Sequence, residues 1–228
     1  MKALVKSYLG LLVIGACVVS CKKNNKNEGL PAPVNSIISS STLAKLKQYG
    51  TVINEGTTPP NITGVFMMHP NVCSFDNSSE GLSGETFDDY LYKFSNQDSK
   101  NFTVRLDFTS INDPFNDTGS DTTATFISGK NNLFTVFAQS RGVAYGVSYV
   151  ALKVISGEIQ TGGIKNLQVT KYLQSKGDDP TPVLTEVGTT RIFHDSDNIS
   201  EKQTGTTLGL TNKSGPVKSG FLSIRKAR

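Results

Sequence analysis

From residue 102 to 109 apolar and polar side chains alternate without a break: Phe102, Val104, Leu106 and Phe108 interleave with Thr103, Arg105, Asp107 and Thr109. Successive residues of a strand point to opposite faces, so a period of two demands a sheet with one dry face and one wet face. Tyr90, Tyr92 and Phe94 alternate likewise, and further strand-like runs cover 62–68, 123–128, 133–139, 146–159, 167–173 and 190–194. Clusters of Gly, Asn, Asp and Pro at 128–132, 141–142, 161–163 and 176–180 supply turns between them. About eight short strands joined by tight turns, with no helical pattern between them, predict an all-β fold. Two arrangements satisfy this pattern, an antiparallel up-and-down barrel of about eight strands and a β-sandwich. One short helix is expected before the strands, over 41–49: Ser41 or Thr42 caps it, Leu43 and Leu46 share a face, and Gly50 stops it. Pro59 and Pro60 then keep the chain extended as it enters the sheet.

The first twenty residues follow a different logic. Lys2 and Lys6 precede an apolar stretch over 8–19 that is too short and too interrupted by Gly to span a bilayer comfortably, which is the form of a targeting segment. The sequence Val18-Val19-Ser20-Cys21 follows directly and resembles the lipobox of bacterial lipoproteins, with the polar run 22–27 behind it. That resemblance implies cleavage before Cys21, diacylglycerol on its sulfur and acylation of its amine. More than one acyl chain makes such anchoring stable, because each buried CH₂ contributes roughly 0.8 kcal/mol. The implied address is the Gram-negative cell envelope, lipid-anchored to the outer membrane. Lys and Asn follow the cysteine and Glu28 is the first acidic residue, so the periplasmic and surface faces both stay open. The segment 54–64 is similar to the start of the domain in uncharacterised envelope lipoproteins of Gram-negative bacteria with lipocalin-like folds.

This reading divides the chain into a signal peptide (1–20), a lipidated Cys21 with a flexible tether rich in Lys, Asn and Pro (21–38), and a single β domain (39–228). The formal charge of +4 then falls to +2, because residues 1–20 carry Lys2 and Lys6 and no acid. Such a small excess gives no reason to expect nucleic acid as a partner. No Gly-X-Y period or sustained heptad is present, which excludes collagen-like and coiled-coil folds. Of three cysteines, Cys17 leaves with the signal peptide and Cys21 carries lipid, so Cys73 has no intrachain disulfide partner. Asn71-Val72-Cys73-Ser74-Phe75 holds no catalytic signature, and Cys73 reads as a small buried hydrophobe.

Motifs that carry chemistry are missing: there is no G-x-S-x-G, H-E-x-x-H, Walker loop or C-x-x-C. With His69 and His194 the only histidines, a three-histidine metal site is impossible, and neither a metal nor a cofactor is expected. His194-Asp195-Ser196-Asp197-Asn198 lacks the ligand spacing of an EF-hand and reads as a solvated turn; Asp113, Asp117 and Asp121 read as a loop. Tyr90, Tyr92, Tyr145 and Tyr149 fit the lining of a barrel better than a sugar platform. Asp121-Thr122-Thr123 matches a short pattern that some Gram-negative lineages O-glycosylate, and 221–224 reads as a last strand. The expected function is that of a non-catalytic envelope lipoprotein that binds a hydrophobic or other small ligand inside a barrel lined by Phe102, Val104, Tyr149 and Leu167. Two alternatives stand beside it. One is an interaction lipoprotein presenting loops to a protein or glycan partner; the other is a hydrolase, which needs a cleft that joins two carboxylates or a His–carboxylate pair.

Overall fold

A computed structural model describes residues 29–111, 118–120, 124–144 and 146–204. A 3-10 turn (Ala32–Ser36) and helix α1 (Ser40–Gln48) lead into the strands. These are β1 (Gly64–Met68), β2 (Asn71–Asp76), β3 (Thr86–Phe87), β4 (Tyr90–Asp98), β5 (Thr103–Ser110), β6 (Thr118–Ser120) and β7 (Ala124–Lys130), followed by β8 (Leu133–Ala144), β9 (Val147–Gln160), β10 (Gly163–Lys176), β11 (Thr190–Asp195) and β12 (Ile199–Lys202). All of them belong to one antiparallel sheet, ordered β12-β1-β4-β5-β7-β8-β9-β10-β11-β2-β3, with β6 folded onto β5. Because β12 also pairs with β10, eight strands close into a ring. The fold is therefore all-β with one short helix, and closure rules out two separate sheets.

Closure depends on one irregularity in β10. Its start, Gly163 to Lys165, pairs with β12, and its continuation, Gln168 to Tyr172, pairs with β11. Between them Asn166 adopts φ +52 and the register against β9 shifts, the signature of a bulge that bends a strand. The partners break at the same level. β1 and β2 are separated by the cis peptide His69-Pro70, and β11 and β12 by a turn at 196–198. A Cβ on Gly163 would collide with the Ser200 carbonyl oxygen, so only glycine lets β10 and β12 approach.

Val104, Leu106 and Phe108 point inward with Tyr90, Tyr92 and Phe94, as the alternation requires, and join Phe66, Phe134, Ile155, Leu167 and Val169 in one buried cluster. The rings of Phe66 and Phe134 each lie 6.2 Å from that of Phe94, so large side chains fill this region. Phe102 falls outside the pattern: it sits in the turn before β5 with φ +56, half-buried, and its carbonyl accepts the Ile127 N–H.

A second apolar cluster covers the outer face of the ring. Leu30, Val34, Ile37, Ile38, Leu43 and Leu46 pack on Phe137, Leu152 and Val154 of β8 and β9. This corrects the tether: its residues from Leu30 onward belong to the fold, and Val34 is fully buried. Burying four apolar side chains offsets the ordering entropy that its polar composition appeared unable to meet. The helix starts one residue early, capped by Ser39, whose Oγ accepts the Thr42 N–H at 3.1 Å. Among the described residues no helix is long and apolar enough to cross a membrane.

The two ends of the ring differ. At one end the connections are the short turns 99–102, 131–132 and 161–162, and the segment after α1 runs beneath them. That end is closed by Ile62, which is fully buried and donates its N–H to Gln97 Oε1, and by the Thr58 N–H bonded to the Gly129 carbonyl. The long connections 77–85 and 177–189 both lie at the opposite end.

Candidate functional site at the open end

Three buried cations lie side by side on the inner wall near the open end. Lys153 of β9 stands directly opposite Lys171 of β10, which stands opposite Arg191 of β11, which stands opposite Asp76 of β2. All three are at least nine-tenths buried. Like charges in directly opposed positions destabilise a sheet, so the arrangement needs compensation. Lys153 Nζ lies 3.8 Å from the centre of the Phe108 ring, and Lys171 Nζ lies 4.7 Å from Tyr90 and 5.2 Å from Phe193, positions favoured by the negative faces of the rings.

Arg191 is held from the strand end. Its Nε faces Asp76 Oδ1 at 3.5 Å, and its Nη2 donates to Glu80 Oε2 at 2.7 Å and to Ser78 Oγ at 3.4 Å. Burial pushes the Asp76 carboxyl up, but the N–H and hydroxyl of Ser78, the Arg191 charge and the Leu82 N–H together hold it below its ordinary range. Asp76 thereby fixes the start of the 77–85 connection, with Glu80 reaching back over Arg191.

The 177–189 connection folds over the same end. Hydrogen bonds from the Val183 and Leu184 N–H groups, with the Lys176 ammonium at 3.1 Å, hold the Asp179 carboxyl below the usual range. Leu184, almost fully buried, packs on Val147 and Tyr149. Between the two connections lies a cleft of about 640 Å³, lined by Ser78, Glu80, Leu184, Thr185 and Thr189 with Lys45 of α1 at its edge. Thr185 is 6% exposed, and its buried Oγ1 has no hydrogen-bond partner in the structure. Glu80 and Ser78 thus contact the buried guanidinium and also line the cleft.

A separate polar group sits where the strands break. Asp195, 1% exposed, accepts the His69 N–H (3.1 Å) and the Ser200 hydroxyl (2.6 Å) on Oδ2, while its Oδ1 is buried without a partner. Its register partner Asn71 donates Nδ2–H to the Asp88 carbonyl and leaves Oδ1 buried without a donor. Burial pushes the Asp195 carboxyl up to about 6; the Ser200 hydroxyl opposes this and nearby Asp197 adds to it. Of the solvated turn expected at 194–198, residues 196–198 are exposed, while Asp195 is the buried end of β11. The side chain of His69 is mostly exposed and bonds to Asp89 at 2.7 Å.

The four residues expected to line one ligand site do not converge. Val104 and Leu167 are buried in the filled inner cluster, Phe102 is in a turn, and Tyr149 packs near the mouth with Ala151, Leu173 and Leu184. Cys73 is buried as expected and donates to the Phe75 carbonyl at 3.3 Å; burial raises its thiol pKa. Cys21, the aspartates at 113, 117 and 121, Asp121-Thr122-Thr123, Tyr145 and the 221–224 strand lie outside the described residues. No group of three or more His, Cys, Asp or Glu able to hold a metal occurs among the described residues. The inner cations were legible in part: Lys171 shares the parity of Val169 and Leu173, and Lys153 that of Ala151 and Ile155. The cleft had no such signal, because its walls come from two connections far apart in sequence. Compared with protein-family models, with curated proteins and with solved structures, the chain matches none.

Proposed function

We propose that this is an envelope lipoprotein anchored through Cys21, and that its β domain is a non-catalytic binding module that takes a small ligand in the cleft at the open end. The observation that carries the binding reading is the cleft itself, which lies between the two long connections while the interior beneath is occupied by Phe66, Phe94 and Phe134. The site thus moves from the interior to the mouth, and its mixed lining of hydroxyls, charges and Leu184 suits a polar or amphipathic ligand better than a wholly apolar one. Binding rather than catalysis is favoured because the acids around the cleft are engaged: Glu80 with Arg191, and Glu186 and Asp179 with Lys176.

The anchor and the cleft fit one geometry. Gly29 joins the fold at the closed end, where its carbonyl accepts the Gly56 N–H and the Gly56 carbonyl accepts the Gly129 N–H. Residues 22–28 reach at most about 25 Å when fully extended, so a lipid on Cys21 places the closed end toward the bilayer and the cleft toward water.

Both halves are open to test. Cys21→Ser should abolish labelling by radioactive palmitate and release the protein from membranes; continued fractionation with membrane refutes the anchor. For the cleft, a metabolite library is screened against the full chain in detergent by thermal shift. Ser79→Trp, which fills the cleft from an exposed position, should remove the shifts while leaving the unliganded melting temperature unchanged. Shifts that survive this substitution place binding elsewhere.

A further inference from the structure

Two residues that line the cleft, Ser78 and Glu80, contact a buried arginine behind it. Arg191 is rooted in β11 with Asp76 across the ladder, and Asp76 is fixed by three further hydrogen bonds from Ser78 and Leu82. Glu80 differs from Asp76 in its attachment. It sits on the connection between strands with a partly exposed side chain, lines the cleft, and its Oε2 meets Arg191 Nη2 at 2.7 Å. A buried guanidinium faced by one carboxylate held by further hydrogen bonds and one held by the guanidinium alone at the cleft lining is geometrically a receptor for an oxyanion that takes the second carboxylate's place. An independent observation lies in the same cleft: the Thr185 Oγ1, buried and without a partner, is a hydroxyl able to donate to such a group. The Lys45 ammonium adds a second donor to the lining of the cleft, from α1.

We infer that the cleft takes a small molecule bearing a carboxylate or phosphate, and that this oxyanion displaces Glu80 from Arg191 and hydrogen-bonds Thr185, so that Glu80 is a built-in competitor. This rests on the reading of the cleft as a ligand site. Displacement exchanges one Arg–oxyanion pair for another, so the pairing itself is close to neutral. Net affinity then comes from the Thr185 hydrogen bond and from contacts of the ligand body with Leu184.

The test uses the full chain in detergent, with butanoate and inorganic phosphate as probes and sodium chloride at matched ionic strength as control. Isothermal titration is combined with the NMR signal of the Arg191 side-chain N–H. Wild type should bind at least one probe saturably with a shift of the Arg191 signal, Glu80→Ala should bind it at least tenfold more tightly, and Thr185→Val should bind it at least threefold more weakly. Glu80→Ala should also lose thermal stability, and the probe but not chloride should restore it. Probe effects no larger than those of chloride in wild type and Glu80→Ala overturn the inference. So does equal affinity in the two, which shows that Glu80 does not compete. Butanamide separates the two levels: if it shifts cleft resonances while both anions fail, the cleft is a ligand site for uncharged molecules and only the oxyanion is wrong. If the library of the preceding section also yields nothing that Ser79→Trp removes, the ligand site itself falls.

Discussion

Replacing Asp195 by Asn isolates what a buried acid does to the pH dependence of this fold. Asp195 Oδ1 and Asn71 Oδ1 are acceptors on directly paired residues of β11 and β2, both buried and both without a donor. A proton on Asp195 removes the cost of burying its charge, and the carboxyl pKa of about 6, against 3.8 for the unburied acid, reflects chiefly that burial, with nearby Asp197 adding to it. A folded-state pKa above the unfolded one means that the contribution is complete below about pH 3.8 and is lost as pH rises through 6. A gap of roughly two units at about 1.4 kcal/mol each gives a loss of about 2–3 kcal/mol between pH 4 and pH 7.5. In Asp195→Asn the amide oxygen still accepts from His69 and Ser200 and the side chain is uncharged at every pH, so this loss disappears. Urea unfolding of both proteins at half-unit steps across that range should give a stability difference that shifts toward the variant by about 2–3 kcal/mol as pH rises. A difference that stays constant across the range would falsify the titration of a buried Asp195.

Val34→Asp places a charge among Leu30, Leu43 and Leu46 on the outer face and should cost upward of about 3 kcal/mol in urea unfolding; a loss below 1 kcal/mol would return residues 30–38 to a tether. Gly163→Val forces the start of β10 away from the Ser200 carbonyl and should open the ring there, which amide exchange reads as lost protection of Ile164 and Glu201 and unchanged protection in β8. Cys73, buried with its thiol pKa raised, should resist maleimide at pH 7 in the folded protein and react fully in denaturant; rapid native labelling contradicts its placement.

Alternation identified the strands because one face of each is dry. Residues 102–109 predicted β5 to within one residue, and the turn signals at 128–132 and 161–163 placed the β7–β8 and β9–β10 hairpins; the turn expected at 141–142 instead lies inside β8, where Arg141 pairs with Val150 and Gly142 with Tyr149. Where the signal was diluted the expectation failed for identifiable reasons. Leu30, Val34, Ile37 and Ile38 lie among Pro, Asn and Ser with no period of two, so nothing local marked them as core. Strands β2, β3 and β12 are short or broken and were not expected. Asp195 read as part of a hydrophilic turn because all five of its residues, His194 to Asn198, are polar or charged, while its burial follows from the neighbouring β2, more than a hundred residues away in the chain.

The sequence by itself determined the class of fold, the direction of most strands and the identity of the inner face, because these follow from local periodicity and turn chemistry. It also supplied the expectation of a lipid anchor at Cys21. Tertiary structure alone decided that β10 pairs with β12 to close a ring, that three cations stand in one row, and that Glu80 and Thr185 line one cleft with Arg191 buried behind Glu80. Each of these depends on residues brought together across long loops, where register and the meeting of distant connections are set by packing over the whole sheet and leave no mark on any single stretch of chain.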